Sequence, residues 1–284
     1  MRVLFNALQA NNRSGTGQYA FALLRALHGM DGAPEITAVV PREYATAFPP
    51  TPKFSVHPAA ATPLRRMAFE RLRMSSFARE CGAELIHYPA NFCPSHARLP
   101  IVLTVHDLSF LRHPEWFRDD RAAYYRAAAK RSVRAARRIL ADSQATASDL
   151  EALLAVPAGR IDVVPLGVGA EFNRADEEAV AALRRRYALP AQFFLYVGTH
   201  EPRKNLVRLV EAWSRVAAEL PHHLVLAGRS GWKTAALDAA IKAAPHAARI
   251  HRPGYVPRED LPALLSAADA FVFPSLFEGF GLPP

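Results

Sequence analysis

With 284 residues, 50% hydrophobic and 21% charged, the chain is long enough for two globular domains and too apolar for a disordered polymer. No apolar run approaches the ~20 residues that span a bilayer, and the opening MRVLFNALQANN reads as a first strand rather than a signal peptide. The net charge of +9 calls for an anionic partner without naming one, since nucleic acid, a lipid surface and a phosphorylated metabolite all fit.

In chain order, short aliphatic or β-branched runs at 3–5, 36–40, 85–88, 101–105, 139–141 and 161–164 predict strands. Alanine-rich stretches near 17–27, 64–80, 119–138 and 145–154 predict the helices between them. That alternation implies crossover connections and a parallel sheet with helices on both faces. The helix at 119–138 concentrates positive charge in Arg121, Arg126, Lys130, Arg131, Arg134, Arg137 and Arg138, while Tyr124, Tyr125, Val133 and Ile139 leave one side apolar. It reads either as a surface for an anionic membrane or as a solvated face. Cys81 and Cys93 lack metal or redox spacing and read as reduced thiols of a cytoplasmic protein.

The pattern restarts after the Pro- and Gly-containing loop at 165–169. A polar helix at 176–187 precedes strands at 193–197, 224–227, 249–251 and 270–274, with helices at 205–220, 234–244 and 258–268. The expected layout is a domain over 1–170, a linker and connecting helix over 171–189, and a second domain over 190–284. Residues 275–284 read as a loop whose covering helix is missing, so the second domain is expected to be incomplete.

Ligands of open α/β sheets bind beyond the carboxyl ends of the strands, and four loops there carry unusual chemistry. The first, Ser14-Gly15-Thr16-Gly17-Gln18-Tyr19-Ala20, fits a phosphate-binding G-x-G-x-x-A pattern, although nine residues separate it from the strand and a plain flexible turn also explains it. The second, Thr104-Val105-His106-Asp107, ends a strand with a His-Asp pair suited to hydrogen-bonding a substrate, or to capping that strand. A metal reading on His87, His96, His106 and His113 has no recognisable ligand spacing.

The third loop, Gly198-Thr199-His200-Glu201-Pro202-Arg203-Lys204-Asn205, places two cations in the expected first turn of a helix, where they oppose its dipole and call for an anion. A guanidinium fork beside a mobile ammonium suits a diphosphate. In the fourth, Pro274-Ser275-Leu276-Phe277-Glu278-Gly279-Phe280-Gly281-Leu282, glycines around an aromatic open backbone amides to a ligand, and Glu278 can accept from sugar hydroxyls.

Together these loops resemble the retaining, nucleotide-sugar-dependent glycosyltransferases of family 4 (group 1). The resemblance runs along nearly the whole chain and is most specific in GTHEPRKNLVRLVEAW and FVFPSLFEGFGLPP, with TVHD, ADSQAT and VVPLGV in family order. It implies the GT-B fold, two Rossmann-like domains facing across a cleft. It implies that Arg203 and Lys204 bind and stabilise the departing diphosphate, and that Gly15, Gly17 and Gly198 bring backbone near the phosphates. It further implies that His106, beside Asp107, contacts the donor sugar, that Glu278 with Gly279, Phe280, Gly281 and Leu282 holds its hydroxyls, and that the turn Gly254-Tyr255-Val256 receives the base.

On the same resemblance no cofactor or metal is expected, because two fixed cations can do what Mg²⁺ does elsewhere. The co-substrate would be a nucleotide diphosphate sugar, with mannose the candidate hexose, and the acceptor a glycan or lipid-linked glycan of cell-surface polysaccharide assembly. The protein would be cytoplasmic, touching the inner face of an anionic membrane through 119–138, and would not bind nucleic acid. The second glutamate of the family's E-x7-E motif would fall at position 286, beyond this sequence. Alternatives are a sugar-nucleotide epimerase or sucrose-phosphate-type synthase of the same fold, and a non-catalytic basic module for membrane or nucleic acid.

Overall fold

A computed structural model describes residues 1–10, 15–59, 62–95 and 98–283. The chain divides into two compact units, one of residues 1–112 and 119–166, the other of residues 113–118 and 167–284. The short segment 113–118 packs with the second unit although it lies inside the first in sequence.

The first unit holds seven parallel strands: β1 (Arg2–Asn6), β2 (Glu35–Pro41), β3 (Phe54–Ala59), β4 (Leu85–Tyr88), β5 (Ile101–Val105), β6 (Arg138–Ala141) and β7 (Ile161–Val163). Their order is β3-β2-β1-β4-β5-β6-β7, so the winding reverses between β1 and β4. Central strands are buried on both faces, with Leu4, Phe5, Ile86, Leu103 and Ile139 almost fully covered. The sequence reading missed β3 because Pro58 interrupts it. The strand lies at the sheet's edge, where a residue without an N–H costs no ladder bond.

Helix α1 (Gly15–His28) follows β1. The helix expected at 64–80 is instead α2 (Pro63–Ala68), a π-helical turn (Phe69–Arg73) and α3 (Met74–Glu80). A short α4 (Ser109–Arg112) follows β5. Helix α5 (Asp119–Ala135) ends before Arg137 and Arg138, which the sequence reading had placed inside it. Arg138 opens β6 instead, its guanidinium held by the Asp162 carboxylate. Helix α6 (Gln144–Leu154) starts where the Ser143 hydroxyl accepts from the Thr146 amide at 3.1 Å.

In the second unit, α7 (Glu177–Tyr187) is capped by the Asp176 carboxylate, which accepts from Ala179 N at 2.8 Å. Acids at 177 and 178 and arginines at 184–186 follow the helix dipole. Strands β8 (Phe193–Val197), β9 (His223–Ala227), β10 (Ile250–Gly254) and β11 (Ala270–Phe271) form a parallel sheet in the order β10-β9-β8-β11. Helices α8 (Leu206–Val216), α9 (Ala235–Ala243) and α10 (Leu261–Ala267) follow β8, β9 and β10 in turn. Apolar clusters form on both faces, one around Phe193, Leu195, Val225 and Leu264, the other around Tyr196, Leu209, Trp213 and Leu226. Reversal of the winding between β8 and β11 brings the loop after β8 beside the loop after β11.

Candidate active site

In the second unit the loop after β8 turns on Gly198, at φ +154°, where a side chain would come within 2.5 Å of the Tyr196 hydroxyl. Gly228, at φ +139° beyond β9, backs onto it so closely that a Cβ would lie 1.9 Å from Gly198 O. These two glycines let the strand ends converge. Arg203 and Lys204 then lie in a 3₁₀ turn, Pro202–Lys204, and not in the first turn of α8 as the sequence reading had it. Asn205, in the left-handed conformation at φ +59°, separates that turn from the helix. The expected opposition between these cations and the α8 dipole therefore does not arise.

The turn is tied to the loop after β11 by backbone and side chain. Leu276 N donates to Arg203 O at 2.8 Å, and Asn205 Nδ2 to Pro274 O at 3.2 Å. Glu278 then receives both cations, Arg203 Nη1 on one carboxylate oxygen at 2.8 Å and Lys204 Nζ on the other at 2.5 Å. A second carboxylate, Glu201, accepts from Arg203 Nε at 2.5 Å and is buried. Lys204 Nζ also lies 5.0 Å from the centre of the Phe273 ring. Two cations are thus matched by two carboxylates, an arrangement the sequence reading missed on the Glu201 side.

Burial lowers the Lys204 pKa from its usual value, aided by Arg203 and opposed by Glu278. For Glu278 burial pushes the pKa up, but Arg203 and Lys204 outweigh it, and the carboxyl ends below its ordinary range. The cluster therefore keeps Glu278 ionised while making Lys204 the easier cation to neutralise. An anion added beside Lys204 relieves that tension.

The remaining residues of the fourth loop are placed unevenly. Phe280 and Leu282 are exposed, and Gly281 has φ +88° with open space where a Cβ would point. Gly254 ends β10 and accepts from Gly228 N at 2.7 Å. Tyr255 is half-buried under the Arg229 guanidinium, 5.5 Å from its ring centre. Val256, expected to meet a base, buries its side chain in the core beside Leu264.

In the first unit His106 follows β5. The acid that orients it is not the adjacent Asp107 but Asp142, 36 residues on at the end of β6, with Nδ1 to Oδ2 at 2.6 Å. Neighbouring parallel strands bring these two residues together, which sequence adjacency could not reveal. Asn91 Oδ1 accepts from His106 N at 2.7 Å, and the Tyr19 ring meets the imidazole edge-on at 4.7 Å. Asp107 instead caps α4, accepting from both the amide and the hydroxyl of Ser109.

Below His106, Thr104 Oγ1 lies 3.0 Å from His87 Nε2 and 3.4 Å from the Tyr19 hydroxyl. Burial lowers the His87 pKa to about 4. Gly15 and Gly17 lie within α1 rather than in a loop, Gly17 buried; Ser14 lies outside the described residues.

Glu70, on the π-helical turn, is a further group the sequence reading missed. It accepts from Asn6 Nδ2 at 2.8 Å, at the carboxyl end of β1, and burial raises its pKa. Of the four histidines considered for a metal, His87 and His106 share this unit, His113 belongs to the other, and His96 is outside the described residues. Among the described residues no group of three or more His, Cys, Asp or Glu side chains could hold a metal ion.

The profile of Glycosyltransferase Family 4 matches residues 13–172, and that of Glycosyl transferases group 1 matches residues 183–284. The chain belongs to glycosyltransferase family 4.

Among its relatives is the O-antigen chain mannosyltransferase B of Escherichia coli, 33% identical over 74% of this chain and 56% of that protein. Another is the 2-deoxystreptamine glucosyltransferase of Streptomyces kanamyceticus, 26% identical over 70% of this chain and 50% of that protein. The chain thus spans about half the length of these curated relatives. Solved structures share the fold. HepE of Anabaena in complex with UDP-glucose has a TM-score of 0.68 at 18% identity, covering 97% of this chain and 74% of that one. WaaG, a glycosyltransferase involved in lipopolysaccharide biosynthesis, has a TM-score of 0.70 at 16% identity, covering 99% and 76%. The fold is that of GT-B glycosyltransferases, with two Rossmann-like units.

Proposed function

We propose that the protein transfers a hexose, mannose being the first candidate, from a nucleoside-diphosphate donor to a glycan or lipid-linked acceptor in cell-surface polysaccharide assembly, with retention of anomeric configuration. One observation carries this reading: Arg203 Nη1 and Lys204 Nζ converge on two oxygens of one carboxylate, at 2.8 and 2.5 Å. That is a clamp for paired oxyanions, with Glu278 occupying it. Relatives described as mannosyl- and glucosyltransferases support the sugar chemistry.

In the proposed reaction the anomeric C–O bond breaks and its electron pair leaves with the diphosphate. The acceptor hydroxyl attacks from the same face and its proton passes to a diphosphate oxygen. Charge grows on the leaving group, so cations held in place stabilise the transition state more than the ground state. Because Glu201 and Glu278 balance the two cations in this structure, a diphosphate gains most when Glu278 turns to sugar hydroxyls and releases them. Gly279 to Leu282 would supply amides to the sugar, and His106, held by Asp142, a polar contact to substrate.

We place the protein in the cytoplasm at the inner membrane face, with the exposed basic side of α5 toward anionic lipid. No helix among the described residues is long and apolar enough to cross a membrane. Thermal-shift titration with a panel of nucleotide sugars tests the central reading. A shift with at least one donor, abolished in Arg203→Ala/Lys204→Ala, is expected. Retention on anionic vesicles with no response to any donor would replace it with a non-catalytic basic module.

A further inference from the structure

The end of the first sheet opposite His106 carries an unassigned cavity of about 850 Å³. Its wall includes Arg134, Arg137, Arg138 and Arg160, with Pro100 and Gly159 between them. Pro100 precedes β5, Arg138 opens β6 and Arg160 precedes β7, so the cavity lies at the amino ends of these strands. His106 and Asp142 follow the carboxyl ends of β5 and β6. At ~3.3 Å per residue, roughly 15 Å of strand lies between the two places.

The four arginines are not equivalent. Arg138 is neutralised by Asp162, which it grips with Nε and Nη2, and it donates to Gly159 O through Nη1. Arg160 donates to the carbonyls of Val133 and Ala136 at the carboxyl end of α5, where a helix carries partial negative charge. Both are structural, and both hold the wall in place. The side chains of Arg134 and Arg137 are exposed and make no hydrogen bond or ion pair among the described residues, although the Arg137 amide donates to Ile101 O at 2.7 Å. Two uncompensated guanidinium groups therefore face a cavity whose other two cations are already committed.

The apolar part of the wall adds to this. The Pro100 ring and the alanines at 135 and 136 offer carbon surface beside the charges, and a Cβ on Gly159 would meet nothing within 4 Å. Lys130 and Arg126 lie four and eight residues before Arg134 on the exposed side of α5, so a positive stripe leads into the cavity.

We propose that this cavity is a second anion site, separate from the transfer site, that binds a phosphoryl group carrying two negative charges through Arg134 and Arg137. Guanidinium forks match phosphate oxygens bidentately, which a lysine surface would not do. The group could be a soluble phosphate ester or the phosphate of a lipid headgroup.

Inorganic pyrophosphate is the probe, titrated calorimetrically into the full chain carrying Arg203→Ala/Lys204→Ala, so that the clamp in the second unit does not contribute. A remaining binding event is expected, weakened at least about tenfold by Arg134→Gln/Arg137→Gln, as loss of charge-assisted hydrogen bonds requires. Arg42→Gln/Arg121→Gln removes equal charge from the same unit away from the cavity and should leave binding unchanged. Equal weakening by both pairs would mean a diffuse basic surface and overturn the site.

The second arm is co-sedimentation with phosphatidylcholine vesicles containing phosphatidic acid, whose phosphomonoester can carry two negative charges. Vesicle binding that depends on Arg134 and Arg137, without pyrophosphate binding, assigns the site to a lipid headgroup. Absence of both overturns the proposal and leaves the transfer reading intact.

Discussion

The two units solve the same topological problem with different chemistry. In each, the loops that matter follow strand carboxyl ends near the reversal of winding. The second unit builds an ionic cluster there, Glu201–Arg203–Glu278–Lys204, from residues on two loops. The first builds a hydrogen-bonded column, Asp142–His106 above His87–Thr104–Tyr19, with one carboxylate and no lysine or arginine. An ionic cluster can exchange one counter-ion for another, so it suits a charged leaving group. A column around one imidazole holds a polar group in a fixed direction. The difference separates charge management from orientation.

That contrast breaks most sharply at the cations. Arg203→Ala/Lys204→Ala should weaken nucleotide-sugar binding in calorimetry by more than about 100-fold, since each charge-assisted hydrogen bond contributes about 1.5–3 kcal/mol. The same substitution in a purely structural cluster would lower Tm and leave affinity unchanged.

The next effect is on pH dependence, and it falls in both units. His87 and His200 are buried and have pKa values lowered to about 4, chiefly by desolvation. Their unfolded values are about 6.5, so between those limits the unfolded chain binds more protons. Stability is then present above about pH 6.5 and is lost as pH falls toward 4, by up to roughly 3 kcal/mol per histidine. Denaturant titrations across that range should show the slope, and His87→Gln should flatten it. A slope unaltered by that change would place the linkage elsewhere.

Gly228→Ala sharpens the comparison through the backbone. Its Cβ would lie 1.9 Å from Gly198 O at a φ of +139°, so a loss of about 2–3 kcal/mol is expected. Diphosphate affinity should fall with it as the loop after β8 moves, whereas Gly15→Ala, with open space around its Cβ, should leave stability nearly unchanged.

The smallest expected change is Asp142→Ala. Losing the charge-assisted bond to His106 should cost about 1.5–2 kcal/mol and free the imidazole to reorient, visible as altered ring-nitrogen NMR shifts. Unchanged shifts would show that Asn91 and Tyr19 hold the ring without the acid.

Much was legible in the sequence because it depends on local chemistry. Strand and helix alternation, the basic stretch, the Arg203-Lys204 pair and the Glu278 loop are all contiguous patterns, and the family resemblance rests on them. The edge strand β3 was hidden by Pro58, whose meaning depends on knowing that no further strand pairs beyond it. Asp142 could not be assigned to His106, since only the adjacent registers of β5 and β6 bring residues 36 apart to 2.6 Å. Asp107 was the nearer acid and was taken by the Ser109 cap.

By itself the sequence determined which charges and which glycines the protein carries, and their order along the chain. Tertiary structure alone decided how those charges cancel. Whether Arg203 and Lys204 are free or matched by Glu201 and Glu278, and whether Arg134 and Arg137 are uncompensated while Arg138 is not, follows from distances between chain segments. Coulomb energy depends on those distances and on burial, and neither is written in a linear order of residues.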